Sequence, residues 1–417
     1  MHDFQYKGDE LYCEDVSVKK IAKEVGTPFY LYSYNTLKNH FRAFDSAFAG
    51  IPHLVCFAVK SNSNIALLKI FAEEGGGFDI VSGGELYRAL LAGADPQKIV
   101  YAGVGKTREE IRYALKSNIL MFNVESTQEL FAIDEVAGEI GVKARVALRV
   151  NPDIDAKTHP YISTGLKTHK FGMSTKDALE GYRIARSLEN IEVTGIHKHI
   201  GSQITQISPF MDALERIVAL IDILKNENLN VRYLNIGGGL GITYKDESPP
   251  YPKELAAELS PVLKGIHCTI IFEPGRVIVG NAGILVTRVL YTKRSEGKTF
   301  LIVDAGMNDL VRPSFYGSYH SILPVDKNSN SHKIVADVVG PICESGDFLA
   351  KDRVLPELKK ESLAAIMSAG AYGFTMSSNY NSRPRVPEIL VRDKEFYIIR
   401  KRESYEDLVR GEEIPLF

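Results

Sequence analysis

Eight short apolar runs, separated in most cases by stretches of helical periodicity, constrain this chain more than any other feature. They are HLVCFAV (53–59), FDIV (78–81), KIVYAG (98–103), NILMFNV (118–124), ARVALRV (144–150), EVTGIHKHI (192–200), VRYLNIG (231–237) and HCTIIFEPG (267–275). Between them, segments such as NIALLKIFAEEG, REEIRYALKSN and SPFMDALERIVALIDILKNEN repeat apolar residues at three- and four-residue spacing. SGGE and STQE read as capped starts of two helices. Eight strands alternating with helices predict a (β/α)8 TIM-type barrel, a fold whose sites lie at the C-terminal ends of the strands. A doubly wound open sheet is the alternative, because alternation alone does not demonstrate closure.

The pattern changes near residue 280. ILVTRVLYTKR, KTFLIVDAG, KIVADVVG and KEFYIIRKR are strand-like runs without long amphipathic helices between them, which predicts a mostly antiparallel β domain. A chain of 417 residues exceeds one ordinary core. The expected division is a barrel over 28–278 and a β domain over 279–417, joined by the strand-like N-terminal segment 1–27. KNSNSH (327–332) is expected to be a polar surface loop.

A net charge of −2 and the lack of a basic run argue against nucleic-acid binding. The N-terminus has no apolar leader core, and no stretch approaches the roughly 18 apolar residues of a membrane span, so a cytoplasmic, non-membrane protein is expected. Cys13, Cys56, Cys268 and Cys343 form no CxxC pair, so no metal site is expected. Cys56 and Cys268 sit in apolar runs as small core residues, whereas Cys343, in GPICESGD, is a candidate for chemistry.

Several strand ends carry polar groups. HLVCFAVKSN ends a buried-type run in Lys60, where an ammonium is costly unless paired or neutral; it is either the strand's exit into solvent or an amine placed to form a Schiff base. The second run carries Asp79, and the sixth delivers His197 and His199 to one side of a strand. Gly237, Gly238 and Gly239 follow the seventh, where side-chain-free backbone can close around an anion. The similar triplet at 75–77 reads as an ordinary helix-to-strand turn. The eighth run ends in Glu273, Pro274, Gly275 and Arg276: either an ion pair capping the strand, or a carboxylate that keeps a pyridine nitrogen protonated. An amine, a phosphate cradle and a pyridine-facing acid around one barrel mouth together point to pyridoxal 5'-phosphate.

FAVKSN, GIHKHIGSQ, IGGGLG, FEPGR, DAGMNDLVRPSFYGSYH, GPICESGD and GAYGFTMSSNYNSRPR closely resemble the diaminopimelate decarboxylases, pyridoxal-phosphate enzymes of the alanine-racemase type. The resemblance spans nearly the whole chain; Ser61 and Phe315 depart from the residues common at those positions. It implies that Lys60 carries the cofactor and that His199 stacks on the ring. Ser202 and Gly237–Gly239 would bind phosphate, Glu273 would face the ring nitrogen, and Asp79 would support Lys60 or His199. Arg276, Arg312 and Tyr316 would hold the distal carboxylate of meso-diaminopimelate, and Glu344 its distal ammonium. Tyr372 would lie between substrate and phosphate, and Cys343, from the neighbouring subunit of a homodimer, would protonate the carbanion. The rival readings are an ornithine- or carboxynorspermidine-type decarboxylase, a Schiff-base aldolase without pyridoxal phosphate, and a non-catalytic cofactor-binding relative. A diacid is favoured because Arg312 and Glu344 offer a matched pair of opposite charges, and an arginine can grip a carboxylate with two parallel bonds.

Overall fold

The computed structural model describes residues 2–152, 154, 170–327 and 332–417, so most of the loop expected at 327–332 lies outside the described residues. The chain forms two compact units. One comprises Lys38–Thr243 and Glu247–Ile278; the other comprises Met1–Leu37, Tyr244–Asp246 and Val279–Phe417.

The first unit is the barrel. Its strands are β1 (His53–Ala58), β2 (Gly77–Ile80), β3 (Ile99–Tyr101), β4 (Met121–Val124), β5 (Ala144–Arg149), β6 (Ile191–His197), β7 (Tyr233–Asn235) and β8 (Thr269–Phe272). They close in chain order, with β8 returning to β1 so that Ile270 lies opposite His53. The open-sheet alternative is thereby excluded. All eight strands were legible because parallel strands with both faces covered are apolar along their whole length. Side-chain caps start the intervening helices: Ser82 accepts from the Glu85 amide, and Ser126 from the Glu129 amide. In both, the glutamate reaches back one residue beyond the cap, to the amides of Val81 and Glu125 respectively.

Two local features aim side chains at the rim. β1 stops at Ala58, and Lys60 sits in a single 3-10 turn, Val59–Ser61, that Ser61 closes by donating to the Ala58 carbonyl. In β6 the register against β5 slips between Val193 and Gly195, a bulge at Thr194 just before the two histidines. The bulge is pinned twice. Thr194 Oγ1 donates to the Val146 carbonyl at 3.1 Å, and Tyr182, fully buried on the helix Thr175–Ser187, donates to the Gly195 carbonyl at 2.9 Å.

The second unit holds a three-stranded sheet (Phe4–Lys7, Glu10–Cys13, Val16–Ser17) and a nine-stranded sheet among the described residues. The long strand Gly283–Ser295 organises the larger sheet, pairing antiparallel with Phe29–Ser33, Lys298–Val303 and Leu363–Ile366. Two pairings are parallel, Lys298–Val303 with Lys333–Val339 and Phe29–Ser33 with Glu388–Arg392, and the other pairings are antiparallel. Because Phe29–Ser33 belongs to this sheet, the unit reaches Leu37 instead of ending near residue 27. Phe4, Leu11, Val16 and Ile21 share one core with Leu31, Ile284, Val286, Val325 and Ile389. No described helix is long and apolar enough to cross a membrane.

Tyr182→Phe should lower stability by about 1 kcal/mol, the net worth of one buried hydrogen bond, with the Gly195 carbonyl left short of a donor. Urea unfolding followed by far-UV circular dichroism measures this; an unchanged midpoint would show that the bulge holds without the hydroxyl.

Candidate active site

The strands of the barrel run the same way, so their C-terminal ends form one rim. Lys60, Asp79, His199, Ser202, Gly237–Gly239 and Glu273–Arg276 all belong to that rim. Lys60 Nζ donates to Asp79 Oδ2 at 2.9 Å; the lysine side chain is about one-third exposed and the aspartate fully buried. Burial first, and then the charge of Glu273, raises the Asp79 pKa, while Lys60 opposes the rise. Asp79 Oδ1 is buried and has no hydrogen-bond partner among the described residues.

Glu273 is held from three other strand ends. Its Oε1 accepts from Asn235 Nδ2 at 2.6 Å and from Asn123 Nδ2 at 3.1 Å, and its Oε2 lies 3.4 Å from His197 Nε2. Burial alone would raise its pKa, but His197, with Lys60, outweighs burial and holds the carboxyl well below the carboxylate range. It is an anion at any working pH.

His199, half-buried, accepts from the Gly238 amide at Nδ1 (3.2 Å). Burial, reinforced by the charges of Arg149 and Lys60, pushes its pKa well below that of an ordinary histidine. A Cβ on Gly238 would lie 2.1 Å from the Glu273 carbonyl oxygen, so only glycine fits between the ends of β7 and β8. Arg276 Nη2 donates to Ser202 Oγ at 3.1 Å, which brings the eighth strand's guanidinium to the hydroxyl that follows the sixth. The rim therefore offers an amine, a small-residue turn, a hydroxyl beside a guanidinium, and a buried anion. That donor set fits a phosphorylated pyridine aldehyde.

Sequence reasoning missed the residues that make Glu273 affordable to bury. Asn123 and Asn235 are fully buried amides at the ends of β4 and β7, and each stands as a polar residue within an apolar run, NILMFNV and VRYLNIG, which was the available signal. It also missed the buried pair Arg149–Glu125 (2.8 Å), whose guanidinium depresses the His199 pKa.

The remaining expected residues belong to the second unit. Arg312, buried at 5% exposure, and half-buried Tyr316 share one short helix, Arg312–Tyr316. Arg312 donates to the Tyr244 hydroxyl at 2.6 Å and to Ser318 Oγ at 3.2 Å, and its guanidinium lies over the Tyr244 ring. Ser314 on the same helix donates to the Gly346 carbonyl at 2.6 Å and so ties it to the loop bearing Cys343 and Glu344, both exposed. Tyr372, half-buried, lies on a separate segment with a left-handed φ of 55°.

Fold and rim together define a barrel enzyme of the pyridoxal-phosphate class. The model of the family described as "Pyridoxal-dependent decarboxylase, pyridoxal binding domain" matches residues 34–280. The chain is 53% identical to the diaminopimelate decarboxylase of Aquifex aeolicus, covering 97% of this chain and 96% of that protein. It is 52% identical to the diaminopimelate decarboxylase of Haemophilus influenzae, covering 98% of each. The crystal structure of diaminopimelate decarboxylase from Helicobacter pylori complexed with L-lysine superposes with a TM-score of 0.91 at 45% identity, covering 94% of this chain and 98% of that one. The chain belongs to the diaminopimelate decarboxylase family of pyridoxal-dependent decarboxylases.

Between the two rim histidines stands Lys198, fully buried, with Nζ 5.8 Å from the centre of the Phe210 ring. Burial lowers its pKa from an ordinary 10.5 to about 7. Between those values the unfolded chain binds the proton more tightly than the folded one, so this lysine makes stability rise with pH from near 7 upward. Lys198→Met should remove that rise, stabilising the protein by roughly 2 kcal/mol or more near pH 6 and by much less near pH 10. Urea titrations across that range test it; parallel curves for both proteins would show that the amine is not charged at a cost.

Proposed function

We propose that the protein decarboxylates meso-2,6-diaminopimelate to L-lysine and CO2, acting in the cytoplasm as a twofold dimer. The observation that carries this reading is the buried, anionic Glu273 on the same rim as the Lys60 amine, in a chain of this family. Bound at the rim, pyridoxal phosphate would supply a sink for the electron pair left when the Cα–carboxylate bond breaks. Lys60 would hold it through Nζ and yield it to the substrate amine. Gly237–Gly239 and Ser202 would hold the phosphate, with Arg276 beside Ser202; His199 would lie flat against the ring, and Tyr372 would close between phosphate and substrate. Glu273 would stabilise a proton on the facing ring nitrogen, where a neutral amide would not.

The substrate's far end would meet opposite charges. Arg312, with Tyr316 and Arg276, would grip the distal carboxylate, while Glu344 takes the distal ammonium. The Tyr244 and Ser318 hydroxyls fix the Arg312 guanidinium in advance, which reduces the entropy lost on binding. Cys343 would deliver its thiol proton to Cα as CO2 leaves, and the resulting thiolate would recover a proton from solvent. Cys343 is exposed, whereas the other three cysteines are buried. In the dimer, Cys343 and Glu344 would complete the neighbouring protomer's site.

Stoichiometric release of CO2 and L-lysine from meso-diaminopimelate by purified protein tests the activity; release from ornithine alone would overturn it. Arg312→Ala should lower kcat/KM for the diacid by about a hundredfold or more and affect a simple diamino acid much less, since only the diacid uses that guanidinium. Equal losses would make Arg312 structural.

The assembly has its own check. Lys60→Ala and Cys343→Ala proteins should each be nearly inactive. After mixing and verified subunit exchange, half the dimers are hybrids, each with one doubly lesioned site and one intact site. About a quarter of wild-type activity should therefore return. No recovery would confine the site to one chain.

A further inference from the structure

The segment SSNYNSRPR has no part in the site described so far, yet two of its residues contact the Cys343–Glu344 loop directly. The Cys343 amide donates to Asn381 Oδ1 at 2.7 Å, and the Tyr380 hydroxyl donates to Glu344 Oε2 at 3.0 Å. The Glu344 carboxylate in turn raises the Tyr380 pKa. Thus consecutive residues of one turn hold consecutive residues of another. The turn adopts a costly conformation to do so: Asn381 and Ser382 both have left-handed φ, 56° and 54°. Such backbone persists where the surroundings impose it, and it clusters at functional sites. Here Asn379 anchors the turn through Nδ2, which donates to Glu403 Oε2 at 2.6 Å and to the Arg383 carbonyl at 3.1 Å. The other end of the loop is fixed separately by Asp347, whose carboxylate accepts from the amides of Ile342 and Met307, both at 2.7 Å. Asp347 and Ser314 order the base of the loop, and the Glu344 amide closes it by donating to the Ile342 carbonyl at 2.8 Å; Asn381 and Tyr380 add the contacts to the Cys343 amide and the Glu344 carboxylate.

We propose that Tyr380 and Asn381 are positioning residues: Asn381 sets the place of the Cys343 thiol, and Tyr380 sets the Glu344 carboxylate that selects the substrate's distal ammonium. This rests on the roles proposed above for Cys343 and Glu344. The two contacts should therefore affect different kinetic constants, Asn381 the proton delivery seen in kcat, and Tyr380 the substrate binding seen in KM.

The test uses the full-length, cofactor-loaded enzyme and three variants, each checked for an unchanged melting temperature. Asn381→Gly tolerates the left-handed backbone but removes the acceptor; Asn381→Asp keeps an acceptor of the same shape. Iodoacetamide alkylation, read by peptide mass spectrometry, reports the position of the exposed Cys343 thiol without reference to turnover, because the other three cysteines are buried. Asn381→Gly should change the alkylation rate of Cys343 by about threefold or more and lower kcat by about tenfold with KM little changed, while Asn381→Asp recovers most of both. Tyr380→Phe should raise KM for meso-diaminopimelate by about tenfold with kcat within about twofold. Wild-type alkylation and kcat in Asn381→Gly, or equal losses in both Asn381 variants with falling melting temperatures, would overturn the positioning role. A Cys343→Ala protein that keeps its turnover would instead remove the proton-donor reading, and the alkylation shift in Asn381→Gly would still stand or fall separately.

Discussion

The structure depends on burying the charge of Glu273. A carboxylate withdrawn from water costs several kcal/mol unless hydrogen bonds and an opposite charge replace its hydration. Three strand ends supply the replacement: Asn123 from β4, His197 from β6 and Asn235 from β7. Closing the barrel in chain order brings these ends to the carboxylate at the end of β8, so the topology and the charge require each other. A second acid, Asp79, is fully buried close enough to feel Glu273, and two such anions repel. Lys60, bonded to Asp79 and attracting both, is the cation that lets them coexist. Removing the lysine would therefore disturb the rim's electrostatics as well as its reactivity.

How much of this could be read from the chain follows from where each signal resides. The barrel strands are dense local runs of apolar residues, and all eight stand out. The β domain is less legible. Ile322–Pro324 is too short to register, and Phe348–Pro356 is interrupted by the consecutive charged residues Lys351, Asp352 and Arg353, where the register against Lys333–Val339 slips at a bulge and Asp352 has a left-handed φ of 47°. Phe29–Ser33 is a fully buried apolar strand immediately before a helix, which is the look of a barrel strand; its pairing with Gly283–Ser295 is invisible in a linear reading.

The site divides the same way. Lys60, Glu273 and the glycine turn are conspicuous because their residue types conflict with their surroundings. Tyr244 and Arg312 are 68 positions apart, and Tyr380 and Glu344 are 36 apart, and nothing in either local segment announces the partner. Polar residues such as Tyr244 and Tyr380, which hold another side chain from outside any apolar run, carry no periodicity and break no rule. They are found only once the chain is folded.

The protonation state of His199 links the rim's electrostatics to its chemistry. Nδ1 accepts from the Gly238 amide, so that nitrogen bears a lone pair and a neutral ring must carry its proton on Nε2. Protonating Nδ1 would break this bond and set a third cation beside Arg149 and Lys60, which is the direction in which the pKa is depressed. Neutrality matters for a ring expected to lie against a protonated pyridine. An imidazolium there would oppose the positive charge that Glu273 is proposed to stabilise, whereas a neutral imidazole offers a flat, polarisable surface without competing for the carboxylate. A neutral His199 thus leaves the Glu273 carboxylate uncontested at the rim, as its proposed pairing with a ring nitrogen requires. The glycine turn proposed to hold the phosphate also sets the histidine's charge, because the Gly238 amide fixes its tautomer from the end of β7.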